Sequence, residues 1–473
     1  MLTTLIVIVL IICLFLLIRG LCFRPKGRRN IAPEMIHVDV ETATDHLQQL
    51  IRCRTVSAEA LRDEGEFEKL RSLLPEFYPA LFAASQVERV DRTGVLIHWK
   101  GENQDAPAVL LGHYDVVPAD EKGWSVPPFA AVIKDGCLWG RGALDMKNQL
   151  SAMLEAAEML AGSGFTPAHD IYFALSGEEE VMGKSAESMR DLLRDRGVAP
   201  AFVLDEGGDI IDGFFPGTSV PCAMVGIGEK GLMNLTFTVK GSGGHAATPK
   251  KNDPLPRLCR AMARMERHPF PLHPGPSLDC LVDTMGRYCA LPQRVLLANR
   301  RILKPIYYRW LRKKDGMIAA SARTTLALTQ AKGSQAPNVI PTEASMTANV
   351  RLLWGDTPES VVERLNAAIS DPAVEITAQV SSLPRPDSTM TYGYREIKHA
   401  IEATWPEAVV SPYLMVACTD SRYWRDICDN VYRFSAKAVS GAEKATVHGN
   451  DERLPLPNIE NAIAFYYRLM KGL

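Results

Sequence analysis

Paired cysteines, long runs of like charge and a nucleophile elbow are all missing from this chain of 473 residues. Its ten cysteines (Cys13, Cys22, Cys53, Cys137, Cys222, Cys259, Cys280, Cys289, Cys418 and Cys428) are scattered with no CxxC pair. That argues against a thiolate zinc site and against a dense disulfide framework. Free, mostly buried thiols are the default, with a weak lean to a reducing compartment. The formal net charge is -2, and with no basic block in the soluble part there is no footing for a nucleic-acid partner. Ser176 stands in ALSGEEE without the glycine pattern that exposes a serine nucleophile, so nothing points to a covalent acyl-enzyme. A hydrophobic content of 47% is ordinary for a globular protein. The length exceeds that at which a single core keeps growing, so two or more domains are expected.

Long apolar runs are also scarce, with one exception at the N-terminus. Leu2 to Ile18 is apolar apart from Thr3 and Thr4, and Arg19, Arg24, Lys26, Arg28 and Arg29 follow. Extended through Leu21, Cys22 and Phe23, the run suffices for a bilayer core of roughly 30 Å. Basic residues after the run rather than before it, and no small-residue cleavage site, predict an uncleaved single-pass anchor. The positive-inside rule then favours the cytoplasmic side for the remainder of the chain. The expected organisation is a transmembrane anchor over 1–24 and a basic linker over 25–35.

Imidazoles and carboxylates recur in ordered contexts: His113 in GHYDVVP, Asp145 in GRGALDMKN, Glu180 in SGEEEV, Asp205 in FVLDEGG and His448 in VHGNDER. Nitrogen and oxygen ligands without thiolate suit a catalytic zinc or cobalt centre. Any one of these residues alone reads as a solvated strand end. Three of them, however, follow an apolar strand-like run (AVLLGH, IYFALSGEEE, AFVLDEGG), and open α/β sheets bind ligands at the C-terminal ends of their strands. Two divalent cations close together need a carboxylate between them to damp their repulsion. Asp145, in a glycine-flanked segment that can fix its direction, is the candidate bridge.

These motifs, with GGHAATP, NVIPTEA, NVRLL, TDSRY and HGNDER, follow one another from about residue 110 to 453 in an order that resembles the co-catalytic zinc aminoacylase and carboxypeptidase family, which includes carboxypeptidase S. The resemblance implies two zinc ions, or cobalt, with His113 and Asp205 on one metal and Glu180 and His448 on the other. It also implies that Asp115 fixes the tautomer of His113. Three consecutive glutamates leave a one-residue slip open. The family pattern, read from Gly183, makes Glu179 the general base and Glu180 the ligand. His245 would donate to the developing oxyanion, often across a dimer interface. Arg351 and Asn338 would grip a substrate carboxylate, and the loop Thr419, Asp420 and Ser421 would contribute to the same pocket.

Alternating strand and helix patterns predict an α/β fold. Helical spacing marks Asn148 to Ala161, Pro254 to Met265 and Pro358 to Ile369; strands are read at VLIHW, AVLLGH, SMTANVRLL and VEITAQVS. The resembled family implies a catalytic domain with a mixed sheet flanked by helices over 36–231 and 383–473, and an inserted α/β lid or dimerisation domain over 232–382. Within the lid interval, the end of a long stretch over 268–332 resembles the carboxypeptidase S branch. Its IYYRWLRKK segment interleaves aromatic and basic residues and reads first as an ordinary amphipathic surface helix, second as a membrane-surface or nucleic-acid patch. The expected activity is release of an amino acid with a free carboxylate from an N-acyl amino acid or short peptide. Deacylation of a biosynthetic intermediate is the alternative. A non-catalytic binding protein is disfavoured, because all five ligands and the base are present.

Overall fold

The computed structural model describes residues 2–27, 34–314 and 316–473. Arg28 and Arg29 of the expected basic linker lie outside them. The principal sheet has eight strands in the order Ser85–Val90, Gly94–Trp99, His169–Ser176, Asn103–His113, Phe202–Asp212, Val431–Ala438, Pro221–Glu229, Val409–Met415. Its centre, from His169–Ser176 to Val431–Ala438, is parallel, and its edge beginning at Ser85 is antiparallel. Parallel strands need cover on both faces, which explains why their apolar runs are nearly continuous. One face packs helices Lys147–Gly162 and Pro457–Lys471, with Leu150, Met153, Leu154, Ile463 and Phe465 in one core. The other carries Met189 and Leu193 of helix Ser185–Asp195 with Trp424.

A second, antiparallel sheet of four strands runs in the order Thr325–Lys332, Glu343–Leu352, Gly231–Lys240, Glu375–Ser382. Alternating burial along Gly231–Lys240 puts Met233, Leu235, Phe237 and Val239 on one face. Helices Pro254–Glu266 and Pro358–Ile369 close that face through Leu258, Met262, Val361 and Leu365. The second helix starts where the sequence reading put it: Thr357 and Ser360 form a reciprocal capping box, with proline at the first helical position.

Between these strands, inside the interval expected for the lid, helices Pro276–Met285, Leu291–Ala298, Lys304–Arg312 and Gly316–Ala320 pack away from the four-stranded sheet. Their apolar residues Leu278, Leu281, Val282 and Met285 meet Met224, Val409 and Tyr413 of the principal sheet. An 18-residue stretch of the N-terminal helix Leu2–Cys22 has a mean hydropathy of 3.1, and the helix's length and composition suit either a membrane span or a signal sequence. It is exposed from Leu2 to Phe15, and Phe23 beyond its end is buried in the same cluster as Leu278.

Candidate active site

Parallel strands deliver the polar groups to one edge of the principal sheet. Strand Asn103–His113 ends at His113, whose side chain is almost wholly buried. Its Nδ1 lies 3.1 Å from the Asp115 carbonyl oxygen, to which it donates, and 3.4 Å from Asp115 Oδ1. That bond leaves Nε2 as the outward-facing nitrogen. It sits 3.1 Å from Asp145 Oδ1 and 3.3 Å from Glu206 Oε1. On the other side of Asp145, His448 Nε2 lies 3.0 Å from Asp145 Oδ2 and 3.2 Å from Glu180 Oε1. Asp145 thus stands between the two imidazoles, in the position expected of a bridge.

The glutamate triplet resolves by direction. Gly183 donates its amide to the Glu178 carbonyl at 2.8 Å, and a Cβ on Gly183 would fall 2.3 Å from that of Glu178, so the turn closes only with glycine. The turn points Glu178 toward Arg62 at 3.6 Å, Glu180 toward His448, and Glu179 toward the His113 side. Ligand-type atoms of His113, Glu179 and Glu206 fall within 4.8 Å of one another, as do those of His113, Asp145 and Glu180. Asp115, fully buried, holds this turn: its two carboxylate oxygens each accept a backbone amide, from Glu179 and from Glu180, at 3.1 Å.

Asp205 departs from its expected place. Its Oδ1 accepts the Glu206 amide and its Oδ2 the Ser421 amide, both at 2.8 Å, while Glu206 reaches His113. Successive strand residues point to opposite faces, so only one of two adjacent carboxylates turns toward the imidazole. The loop Thr419–Ser421 is likewise buried instead of lining an open pocket. The Thr419 amide donates to Glu229 at 2.9 Å, Asp420 accepts from the Ser176 hydroxyl at 2.5 Å, and Ser421 secures Asp205. Arg351 lies next to it, donating to Asn349 Oδ1 at 3.0 Å and to Cys418 Sγ at 3.3 Å.

His245 and Asn338 are brought together but not to this cluster. The short strands Gly244–His245 and Val339–Ile340 pair within the interval expected for the lid, and the Ala246 amide donates to the Asn338 carbonyl at 3.0 Å. Both side chains are exposed, and among the described residues no hydrogen bond or ion pair joins either to the His113 group.

Three residues that the sequence reading passed over belong to the site's framework. Glu206 carried a signal, since a carboxylate follows Asp205 directly. Glu452, four residues past His448, is fully buried and holds the Asp145 loop through Arg141 and the amides of Gly142, Leu144 and Asp145. Arg422, in the TDSRY motif, places Nη1 3.8 Å from Glu179 Oε1. Behind it lies a small basic recess of about 20 Å³ lined by Lys230, Arg385, Arg422, Arg425 and Arg433 with Glu229.

Negative charge exceeds positive charge here, and the proton affinities show it. Burial, then the Asp145 charge, pushes the Glu206 carboxyl up to about 8. Burial also drives Glu179 well above the ordinary carboxylate range, and raises Glu180 less strongly. Burial opposes a charge on Asp145, yet hydrogen bonds from both imidazoles hold it well below its usual value. Hydrogen bonds to Asp145 and Glu180 raise His448 to about 10. Crowded carboxylates facing two imidazoles are a donor set that divalent cations would relieve.

Comparison with known proteins gives the family and the fold. The model for "Peptidase family M20/M25/M40" matches residues 109–472. A probable carboxypeptidase S-like protein 2 of Dictyostelium discoideum is 34% identical over 86% of this chain and 80% of its own length. The human N-fatty-acyl-amino acid synthase/hydrolase PM20D1 is 32% identical over 77% of this chain and 74% of its own. Among solved structures, an M20 family metallo-carboxypeptidase from Sulfolobus solfataricus superposes with a TM-score of 0.68 at 16% identity, covering 92% of this chain and 99% of that one. With its principal sheet, metal-type cluster and motif order accounted for in one stroke, the chain belongs to the peptidase family M20/M25/M40.

Proposed function

We propose that this chain, a metal-dependent enzyme of the peptidase and amidohydrolase class, cleaves the amide bond of N-acyl amino acids and releases an amino acid with a free carboxylate. One observation carries the reading: Asp145 lies between His113 and His448, at 3.1 and 3.0 Å, with Glu206 and Glu180 on the two flanks and Glu179 within the same group. His113, Asp145 and Glu206 would hold one cation, and Asp145, Glu180 and His448 the other; zinc suits the donors, and cobalt is an alternative. Bound there, the cations would polarise the scissile carbonyl and make a water between them more acidic.

The remaining chemistry is the chain's own. Glu179, shielded from solvent and raised in proton affinity, takes a proton from the attacking water and returns it to the departing amine. Asp115 holds Glu179 and Glu180 by their amides and His113 by its Nδ1 side, so three reacting or ligating groups share one support. Arg422, close to Glu179, keeps that carboxylate oriented. Arg351 and Asn338 supply the donors for a substrate carboxylate. The exposure of His245 and Asn338, apart from the His113 group, supports a homodimer in which they serve the site of a second copy and His245 donates to the oxyanion.

Similarity to N-fatty-acyl-amino acid hydrolases on one side and carboxypeptidase S-like proteins on the other supports acyl amino acids ahead of a biosynthetic deacylase. The test is hydrolysis of a panel of fatty-acyl amino acids, acetyl amino acids and dipeptides by the full chain in detergent, supplied with zinc or cobalt or treated with chelator, alongside Glu179→Gln. Activity lost on chelation and reduced at least about a hundredfold by Glu179→Gln supports the mechanism. A wild type that binds both metals yet cleaves nothing in the panel sinks the substrate assignment.

A further inference from the structure

The N-terminal helix does not stand free of the enzyme. Its lower end packs along helix Leu291–Ala298 at backbone distance: a Cβ on Gly20 would lie 2.4 Å from Val295 Cγ2 and 2.9 Å from Val295 Cα. Arg19 donates to the Ala298 carbonyl and Asn299 Nδ2 to the Leu16 carbonyl, each at 3.0 Å. Arg287 covers the Phe23 ring, 4.6 Å from its centroid. Reading the pairs in order, Gly20 meets Val295, Arg19 meets Ala298 and Leu16 meets Asn299. The two helices are therefore antiparallel. Moving up the N-terminal helix toward Leu2 means moving toward the C-terminal end of Leu291–Ala298 and the turn beyond it.

Length then decides where a bilayer can sit. The whole helix Leu2–Cys22 rises about 31 Å, which matches a hydrocarbon core of about 30 Å. The part clear of the protein, Leu2 to Phe15, rises only about 21 Å. A helix that spans the bilayer must therefore immerse its packed part too, and helix Leu291–Ala298 goes down with it. What lies at that level has the composition of an interface. Ile302 and Ile306 are 55% and 56% exposed, with Arg301 exposed just before them and Lys304 exposed between them. Residues 284–314 hold nine Lys or Arg and no Asp or Glu. On helix Lys304–Arg312, Tyr307 and Leu311 face inward, whereas Arg309 and Arg312 face outward. Apolar tips ringed by cations are what an anionic lipid surface takes up.

We propose that the turn Asn299–Ile306 is a membrane-insertion element that seats Ile302 and Ile306 among lipid acyl chains and the surrounding Arg and Lys among anionic phospholipid headgroups. The enzyme is then held on the bilayer by two adjacent elements, which fixes its orientation where a single tethered helix would let it swing. This rests on the N-terminal helix being retained as a span.

The test uses the full chain reconstituted into phosphatidylcholine vesicles with and without phosphatidylserine. A photoreactive benzoylphenylalanine is placed in separate variants at Ile8 in the anchor, at Ile302, at Ile306, and at Trp354, an exposed residue of the lid segment. Hydrolytic activity of each variant in detergent confirms that it folds. The expected result is lipid adducts at 8, 302 and 306 in several-fold excess over 354, with phosphatidylserine enriched among the adducts at 302 and 306. Adducts at 8 with 302 and 306 no higher than 354 would overturn the insertion element and leave the span intact. Absence of lipid adducts at 8 as well, or a mature chain that begins after the apolar helix, removes the span and the proposal with it.

Discussion

Glu452 holds Asp145 from 307 positions away in the chain: one carboxylate oxygen accepts the Asp145 amide at 3.1 Å and the Leu144 amide at 2.7 Å. The other accepts the Gly142 amide at 3.1 Å and faces Arg141 Nη1 at 2.7 Å. The carboxylate between the two imidazoles is therefore aimed by a second, buried carboxylate.

Replacing Glu452 separates aim from fold. Glu452→Gln keeps the shape but turns an amide N–H toward backbone N–H groups, and should lower metal affinity or kcat/KM by about 10- to 100-fold while the protein remains folded. Glu452→Ala leaves Arg141 buried without its partner and should cost about 3–5 kcal/mol of stability. Metal content per chain and Tm, measured on both variants, distinguish the two effects. A Glu452→Gln protein with full metal and full activity would show that the loop aims Asp145 unaided.

The neighbouring carboxylates Asp205 and Glu206 should respond differently. Glu206→Gln removes a group at the His113 side, so it should reduce bound metal toward one equivalent per chain with little loss of Tm. Asp205→Asn disturbs the acceptor for the Ser421 amide in a buried loop and should lower stability by roughly 1–3 kcal/mol, with a smaller change in metal stoichiometry. Elemental analysis of purified protein beside thermal unfolding checks the pair. The reverse pattern, metal lost from Asp205→Asn alone, would return the ligand role to Asp205.

Lys230 introduces a dependence on pH at the junction of the two sheets. Its ammonium donates to the Ala320 and Arg323 carbonyls at 3.0 and 2.8 Å, and burial, then Arg351, lowers its pKa to about 7. Below pH 7 both folded and unfolded chains carry the proton, so the full cost of burying the charge is felt. Between pH 7 and the ordinary lysine value of 10.5 the unfolded chain binds more protons, and stability rises with pH. Relative to Lys230→Met, the wild type should therefore gain on the order of a few kcal/mol as pH climbs through that window. Denaturant titrations of both proteins at pH 6.5, 8 and 9.5 read the difference; a gap that does not change with pH refutes the shift.

How much of this was legible beforehand depended on the range over which each signal acts. Helix Pro358–Ile369 was readable because its start is encoded locally, in Thr357, Pro358 and Ser360. His113 and Glu180 were readable because an apolar strand announces its own end. The choice between Asp205 and Glu206 was not, since both follow the same strand and only its facing in the assembled sheet decides which oxygen meets His113. Glu452 and Arg141 were hidden for another reason: a buried ion pair between residues 311 positions apart looks, in sequence, like two surface charges. The helices over 276–320 were expected in the lid because their position in the chain lies there, yet Leu278 and Met285 are matched to Val409 and Tyr413, a contact no local pattern announces.

The site is assembled from residues far apart in the chain, from His113 to His448 and Glu452. On the ribosome, a nascent chain presents His113, Asp145 and Glu180 long before their partners exist. Complete loading with metal must therefore wait until His448 and the Glu452 clamp have been synthesised. The apolar helix Leu2–Cys22 lies ahead of all of these residues in the chain. A chain cut before His448 would still carry His113, Asp145 and Glu180 but could never set a second imidazole beside Asp145.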